Sequence, residues 1–244
     1  MRLDKYLAGA MQIPRSAARA LVARGAVTVD GAVCRKADMP LAGGEAVCAD
    51  GKPLDREEYV YIMLHKPQGV VSASTDGRDV TVVDLLKGAY PRRKLFPAGR
   101  LDKTSTGFVL LTDDGAFAHD ILSPRRHVPK TYRVRLDTPA TPEMARAFEA
   151  GVVLADGQAM RPAGLLPDQA DPFWVTVELR QGVYHQIKRM FGVLGAGVNA
   201  LHRTAIGGVE LDPALAPGRW RPLTPQELER LRAAAQPRSK KKNL

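Results

Sequence analysis

The chain has 244 residues, 45% of them hydrophobic, enough to bury at least one substantial core and to fill one large or two unequal domains. That composition excludes a disordered tail protein. Its formal charge of +10 and pI near 9.8 favour a polyanionic partner, nucleic acid ahead of an acidic membrane, because each neutralised phosphate releases counterions.

The excess is unevenly spread: +1 over residues 1–58, +4 over 59–230 and +5 over 231–244. Residues 1–27 carry Arg2, Lys5, Arg15, Arg19 and Arg24 against the single acid Asp4. Cys34 and Cys48 are the only cysteines and form no Cys-x-x-Cys pair, so neither a disulfide framework nor a cysteine zinc site is expected. The five histidines, His65, His119, His127, His185 and His202, are dispersed, and no metal or other cofactor is expected. With no apolar run long enough to span a bilayer, the expectation is a cytoplasmic protein without a membrane partner.

In chain order, Leu3, Tyr6 and Leu7 have helical spacing, and Ala18, Leu21 and Val22 predict a second helix from about Ser16 to Gly25. Arg15 and Arg19, four apart, project from one side of it. Residues Val27 to Val33 predict a hairpin turning at Asp30-Gly31. The charged stretch Asp50 to Glu58 reads as a linker, dividing a domain over 1–55 from a larger one over 56–232, with a basic tail over 233–244. Tyr59 to Leu64 and Phe108 to Thr112 read as strands buried on both faces. Residues 131–136 and 175–179 alternate as strands with one polar face. Helical patterns follow Thr81, Asp114 and Pro142. No strict strand-helix-strand repetition appears, so the fold class expected is α+β, with a mixed, largely antiparallel sheet flanked by helices.

Three segments carry chemistry. Gly99-Arg100-Leu101-Asp102-Lys103-Thr104-Ser105-Thr106-Gly107 places a carboxylate on a tight polar turn before an apolar strand, a setting for an ionised, positioned nucleophile. The purely structural alternative is a capped loop in which Asp102 accepts backbone hydrogen bonds and pairs with Arg100. In Gln181 to Gly195, the residues Ile187, Met190, Phe191 and Leu194 predict a helix beginning near His185 with its apolar face inward. Lys188 and Arg189 then lie in its first turn, where the helix dipole disfavours cations by roughly 0.3–1 kcal/mol each; holding an anion would explain them. Lys130-Thr131-Tyr132 opens an alternating strand.

These three segments, in this order, resemble the signature motifs of the pseudouridine synthases, specifically the branch that modifies ribosomal RNA and carries an N-terminal S4-type RNA-binding domain. The resemblance covers nearly the whole chain, and Met1-Arg2-Leu3-Asp4-Lys5 with Tyr184 to Phe191 are most similar to the small-subunit (16S) subgroup. It implies an S4-like α/β domain followed by a synthase domain, and isomerisation of a specific uridine in 16S rRNA, position 516 of that RNA, without metal or cofactor. It makes Asp102 the catalytic residue, Lys188 the cation beside it, and Tyr132 the ring that packs on the target base. Arg100 and Ile187 join the substrate-contacting residues, and Arg15, Arg19 and Arg24 contact RNA from the S4-like domain. The expected partner is 16S rRNA or a small-subunit assembly intermediate, met by a monomer. Three rivals stand beside this reading: a sister synthase acting on 23S rRNA, a non-catalytic S4-type ribosome-assembly protein, and a glycosidic hydrolase using Asp102, which would need a second carboxylate such as Asp113 or Asp114.

Overall fold

A computed structural model of the chain describes residues 1–11, 13–42, 44–54, 59–91, 93–123, 126 and 128–236. Residues 55–58, on which the expected domain boundary falls, and the tail from Pro237 to Leu244 lie outside the described residues. The chain divides into two compact units, Met1–Tyr59 with Pro91–Arg93, and Val60–Tyr90 with the chain from Lys94 onward.

The first unit holds helices α1 (Leu3–Ala10) and α2 (Arg15–Ala23) and strands β1 (Val27–Val29), β2 (Ala32–Val33), β3 (Val47–Ala49) and β4 (Lys52–Pro53). Leu3 and Leu7, and likewise Ala18 and Val22, lie one helical turn apart and bury one face of each helix against Val27, Val29, Val47 and Ala49. No side chain caps α1; its first amides donate instead to the Met39 and Ala37 carbonyls, both at 2.8 Å. The strands pair antiparallel in the order β2-β1-β3-β4. The β1–β2 turn takes positive φ at both Asp30 and Gly31, 50° and 81°, as a two-residue hairpin turn requires.

Asp4 is 0% exposed and accepts from Arg19 at 3.0 Å, Arg15 at 3.2 Å and Arg2 at 3.3 Å. The lone acid of the basic N-terminal segment is thus shared by three of its five cations. Arg24 is paired as well, with exposed Asp50 at 2.8 Å.

The second unit is built on one mixed sheet of nine strands: β5 (Tyr61–Lys66), β6 (Phe96–Pro97), β7 (Thr106–Thr112), β8 (Lys130–Leu136), β9 (Gly164–Pro167), β10 (Trp174–Leu179), β11 (Val198–Ile206), β12 (Val209–Glu210) and β13 (Trp220–Pro222). The order is β13-β5-β7-β11-β8-β10-β9, with β6 added to β7 and β12 to β11. Every pairing among them is antiparallel except β7 with β11, so the expected mixed, largely antiparallel sheet is what forms. Central strands β5 and β7 are buried on both faces: Ile62, Leu64, Val109 and Leu111 face one core, and Met63, Phe108 and Leu110 the other. Helices α4 (Pro142–Ala150) and α5 (Gln186–Val193) cover the first face, where the Phe148 and Phe191 rings meet at 4.8 Å. Helices α3 (Gly115–Leu122) and α6 (Pro225–Ala235) cover the second. No described helix is long and apolar enough to cross a membrane.

Asp113 and Asp114 do structural work here. Asp114 caps α3 by accepting from the Phe117 amide at 3.0 Å, and Asp113 accepts from the Val60 amide at 2.7 Å. The helical pattern after Thr81 yields only a single 3-10 turn, Asp84–Leu86. Asp84 folds back to accept from both the amide and the hydroxyl of Thr81, each at 2.8 Å, and Lys87 and Gly88 then adopt positive φ, which ends any helix before a second turn. Gly107 is the other residue the topology demands. A Cβ there would lie 2.3 Å from the Arg203 carbonyl oxygen, so only glycine allows β7 and β11 to approach where their parallel register begins, at His202–Thr106 and Arg203–Gly107.

Candidate active site

The turn that carries Asp102 runs between β6 and β7, and three interactions fix it. The Ser105 amide donates to the Asp102 main-chain oxygen at 3.0 Å. The buried Ser72 hydroxyl donates to the Leu101 carbonyl at 2.9 Å and accepts from the Leu101 amide at 3.0 Å. The Lys66 ammonium, wholly buried at the end of β5, donates to the carbonyls of Ser105 at 2.7 Å, Pro67 at 3.0 Å and Lys103 at 3.4 Å. Burial drives the Lys66 pKa down to about 8, Asp102 opposing the shift and Arg203 adding to it. Lys130, the first residue of β8, is likewise lowered to about 8 by burial and by Arg203.

With its backbone held, Asp102 presents a carboxylate that is 29% exposed to a cleft of about 430 Å³. Two side chains from the start of α5 face it: His185 Nε2 lies 3.3 Å from Oδ1, and the Lys188 ammonium 3.9 Å from Oδ2. Lys188 also donates to the Thr104 hydroxyl at 3.2 Å. The anion that the first-turn cations of α5 suggest is therefore supplied, at Lys188, by the protein itself, while Arg189 pairs with Asp156 at 2.5 Å. Helix α5 starts from an unusual residue: His185 occupies the left-handed region at φ 51° and ψ 31°, a strain of about 1–3 kcal/mol for a residue with a side chain, and its ring stacks on Tyr184 at 3.8 Å.

Of the residues singled out from the sequence, Asp102, Arg100, Tyr132, Ile187 and Lys188 all line this one cleft. Tyr132 and Ile187 are 8% and 4% exposed and form its apolar side. Arg100 is exposed and forms no ion pair with Asp102, so the alternative in which those two pair is not the observed arrangement. Arg15, Arg19 and Arg24 belong to the N-terminal unit, where their guanidinium groups remain half exposed beside Asp4 and Asp50. The sequence reading missed His185, Lys66 and Ser72. The available signals were a polar Tyr-His pair directly before an amphipathic helix and a lysine closing an apolar run. The other carboxylate on the cleft, Asp76, is engaged by the amides of Arg78 and Asp79 at 2.9 Å, bonds that hold it below the usual carboxylate range. Among the described residues no three His, Cys, Asp or Glu side chains cluster to hold a metal ion.

An aspartate held by its backbone and faced by a lysine and a histidine, in a cleft with an aromatic wall on a mixed sheet, forms a site suited to carboxylate-dependent chemistry. The chain belongs to the RNA pseudouridylate synthase family, whose pattern matches residues 60–192, while residues 1–47 match the S4 domain. It is 42% identical over 229 residues to the ribosomal small subunit pseudouridine synthase A of Escherichia coli (strain K12), covering 93% of this chain and 98% of that protein. It is also 42% identical over 234 residues to a Bacillus subtilis (strain 168) protein described as an uncharacterized RNA pseudouridine synthase, covering 95% and 98%. A solved pseudouridylate synthase structure superposes with a TM-score of 0.67 at 36% identity, covering 95% of this chain and 99% of that one. The protein is a pseudouridine synthase with an S4 domain.

Proposed function

We propose that the protein isomerises a specific uridine of 16S ribosomal RNA, uridine 516 in the numbering of that RNA, with Asp102 as the catalytic residue and 16S rRNA or a small-subunit assembly intermediate as its partner. The observation that carries the reading is the Asp102 carboxylate facing the cleft between His185 and Lys188. The reaction breaks the bond from uracil N1 to ribose C1′ and forms one from C5 to C1′, while the C5 proton is lost and N1 gains one, so atoms and electrons balance without an external redox partner. The Lys188 ammonium, 3.9 Å from the carboxylate, sets a positive charge beside the negative oxygen that nucleophilic attack needs.

The target base has to leave its helix to reach Asp102, at an unstacking cost of a few kcal/mol. Tyr132 is placed to recover part of it, since stacking on an aromatic side chain contributes about 1–3 kcal/mol per base. Arg100, exposed at the cleft, holds the phosphate backbone or fills the gap that the extruded nucleotide leaves. The S4 unit adds backbone contacts through Arg15, Arg19 and Arg24, and the protein acts as a cytoplasmic monomer. The hydrolase reading loses its second carboxylate, because Asp113, Asp114 and Asp76 are all engaged by backbone amides.

The test is incubation with unmodified 16S rRNA, alone and with ribosomal proteins, followed by chemical mapping of pseudouridine. The wild-type protein is expected to introduce one new pseudouridine, and Asp102→Asn to introduce none while keeping its fold and RNA affinity. Turnover by Asp102→Asn would reject the catalytic assignment. Modification of 23S rRNA alone would reassign the substrate.

A further inference from the structure

Tyr184 is the most exposed large apolar side chain among the described residues, 71% accessible. It lines the Asp102 cleft, whereas the next most exposed, Leu166 and Val153, do not. Its ring lies nearly flat on His185, with 18° between the planes, and His185 in turn contacts Asp102. One face of the phenol ring is therefore covered by a side chain of the catalytic cluster while most of the residue remains in water. The fold accepts two costs to keep it so: a large aromatic surface left wet, and a left-handed backbone at the very next residue. Such local costs mark functional positions more often than packing positions.

We propose that Tyr184 is a stacking platform for the nucleobase adjoining the target uridine in the RNA strand, and that His185 fixes this platform relative to Asp102. The inference rests on the RNA-uridine reading above. The occupant has to be a planar heterocycle that is itself unpartnered, and extrusion of one nucleotide produces that, because its strand neighbour loses a stacking face at the same moment. Stacking on an aromatic ring needs no hydrogen-bond readout, so any base can take the place. The surroundings suit a polyanionic strand: Arg100 is exposed and without an ion-pair partner among the described residues, and Lys188 lies on the same cleft from the first turn of α5. Tyr132 cannot serve the neighbour as well as the target, being only 8% exposed.

The experiment measures kcat/KM for wild type, Tyr184→Ala and Tyr184→Phe on protein-free RNA fragments containing the target uridine, each with an abasic residue introduced in turn at the 5′ or the 3′ neighbour. Tyr184→Ala is expected to lose about tenfold on intact RNA, with an unchanged thermal midpoint because the side chain is exposed, and Tyr184→Phe to keep wild-type activity. One abasic neighbour is expected to cost the wild type the same factor and to cost Tyr184→Ala nothing further. Full activity in Tyr184→Ala, or losses that simply add at both neighbours, would overturn the platform. A wild type that modifies no RNA at all would instead overturn the rRNA reading and the inference with it, an outcome distinct from the others.

Discussion

The Asp4 carboxylate accepts from three guanidinium groups while sealed from solvent. Burial pushes its pKa up, but the Arg19 hydrogen bond and the charges of Arg15, Arg2 and Arg19 outweigh burial and hold it below its ordinary value of 3.8. A carboxyl lowered on folding stabilises the native state fully above its unfolded value and loses that contribution as pH falls through the folded one. Denaturation of wild type and Asp4→Asn should therefore give midpoints that are well separated at neutral pH and converge as pH falls below the ordinary carboxylate value of 3.8; a gap independent of pH would show that Asp4 acts through packing alone. This residue was half legible in the sequence. It stands out as the lone acid of residues 1–27, but nothing local says that a carboxylate in the first turn of α1 will meet Arg15 and Arg19 of the second helix.

Among the elements, the end of β5 and the start of α5 converge on the Asp102 turn from opposite directions along the chain. Helix α5 was readable from Ile187, Met190 and Phe191, because helical periodicity is a local property. His185 and Lys66 were not, because each gains its meaning from a partner more than thirty residues away: Lys66 from the Ser105 carbonyl, His185 from Asp102. Lys66 carries a prediction in two parts. Its pKa of about 8 lies below the ordinary lysine value of 10.5, so between those values the unfolded chain retains a proton that the folded one has released, and stability from this group rises with pH. Over the same window the ammonium that ties down the Ser105, Pro67 and Lys103 carbonyls is lost, and turnover should fall. Lys66→Met is expected to flatten the rise in unfolding free energy between about pH 8 and 10, only in part because Lys130 titrates alongside it. It should also lower kcat at neutral pH by roughly ten- to a hundredfold by loosening the turn. Stability and kcat profiles of the variant that superpose on the wild type would contradict both parts.

Counted over the whole chain, the positive charge is divided among segments and partly offset by neighbouring acids. Arg2, Arg15 and Arg19 share one acid, Arg24 has its own, and the largest local excess lies in residues 231–244. Affinity for RNA should still fall steeply with salt, the slope of log affinity against log salt dropping by about 0.7–0.9 for each phosphate contact removed. Titrations at several salt concentrations with Arg15→Gln and Arg19→Gln variants measure that change; a slope unaltered by both would place the N-terminal arginines outside the RNA contact. The sheet topology has a consequence for how the enzyme comes into being. β7 lies parallel to β11, and 84 residues separate Thr104 from the Lys188 that bonds to it. At a synthesis rate of about 5–20 residues per second, the Asp102 turn emerges roughly 4–17 s before Lys188 exists. A nascent chain can thus display the aspartate without the lysine and histidine that face it, and the cleft stays incomplete until helix α5 has been made.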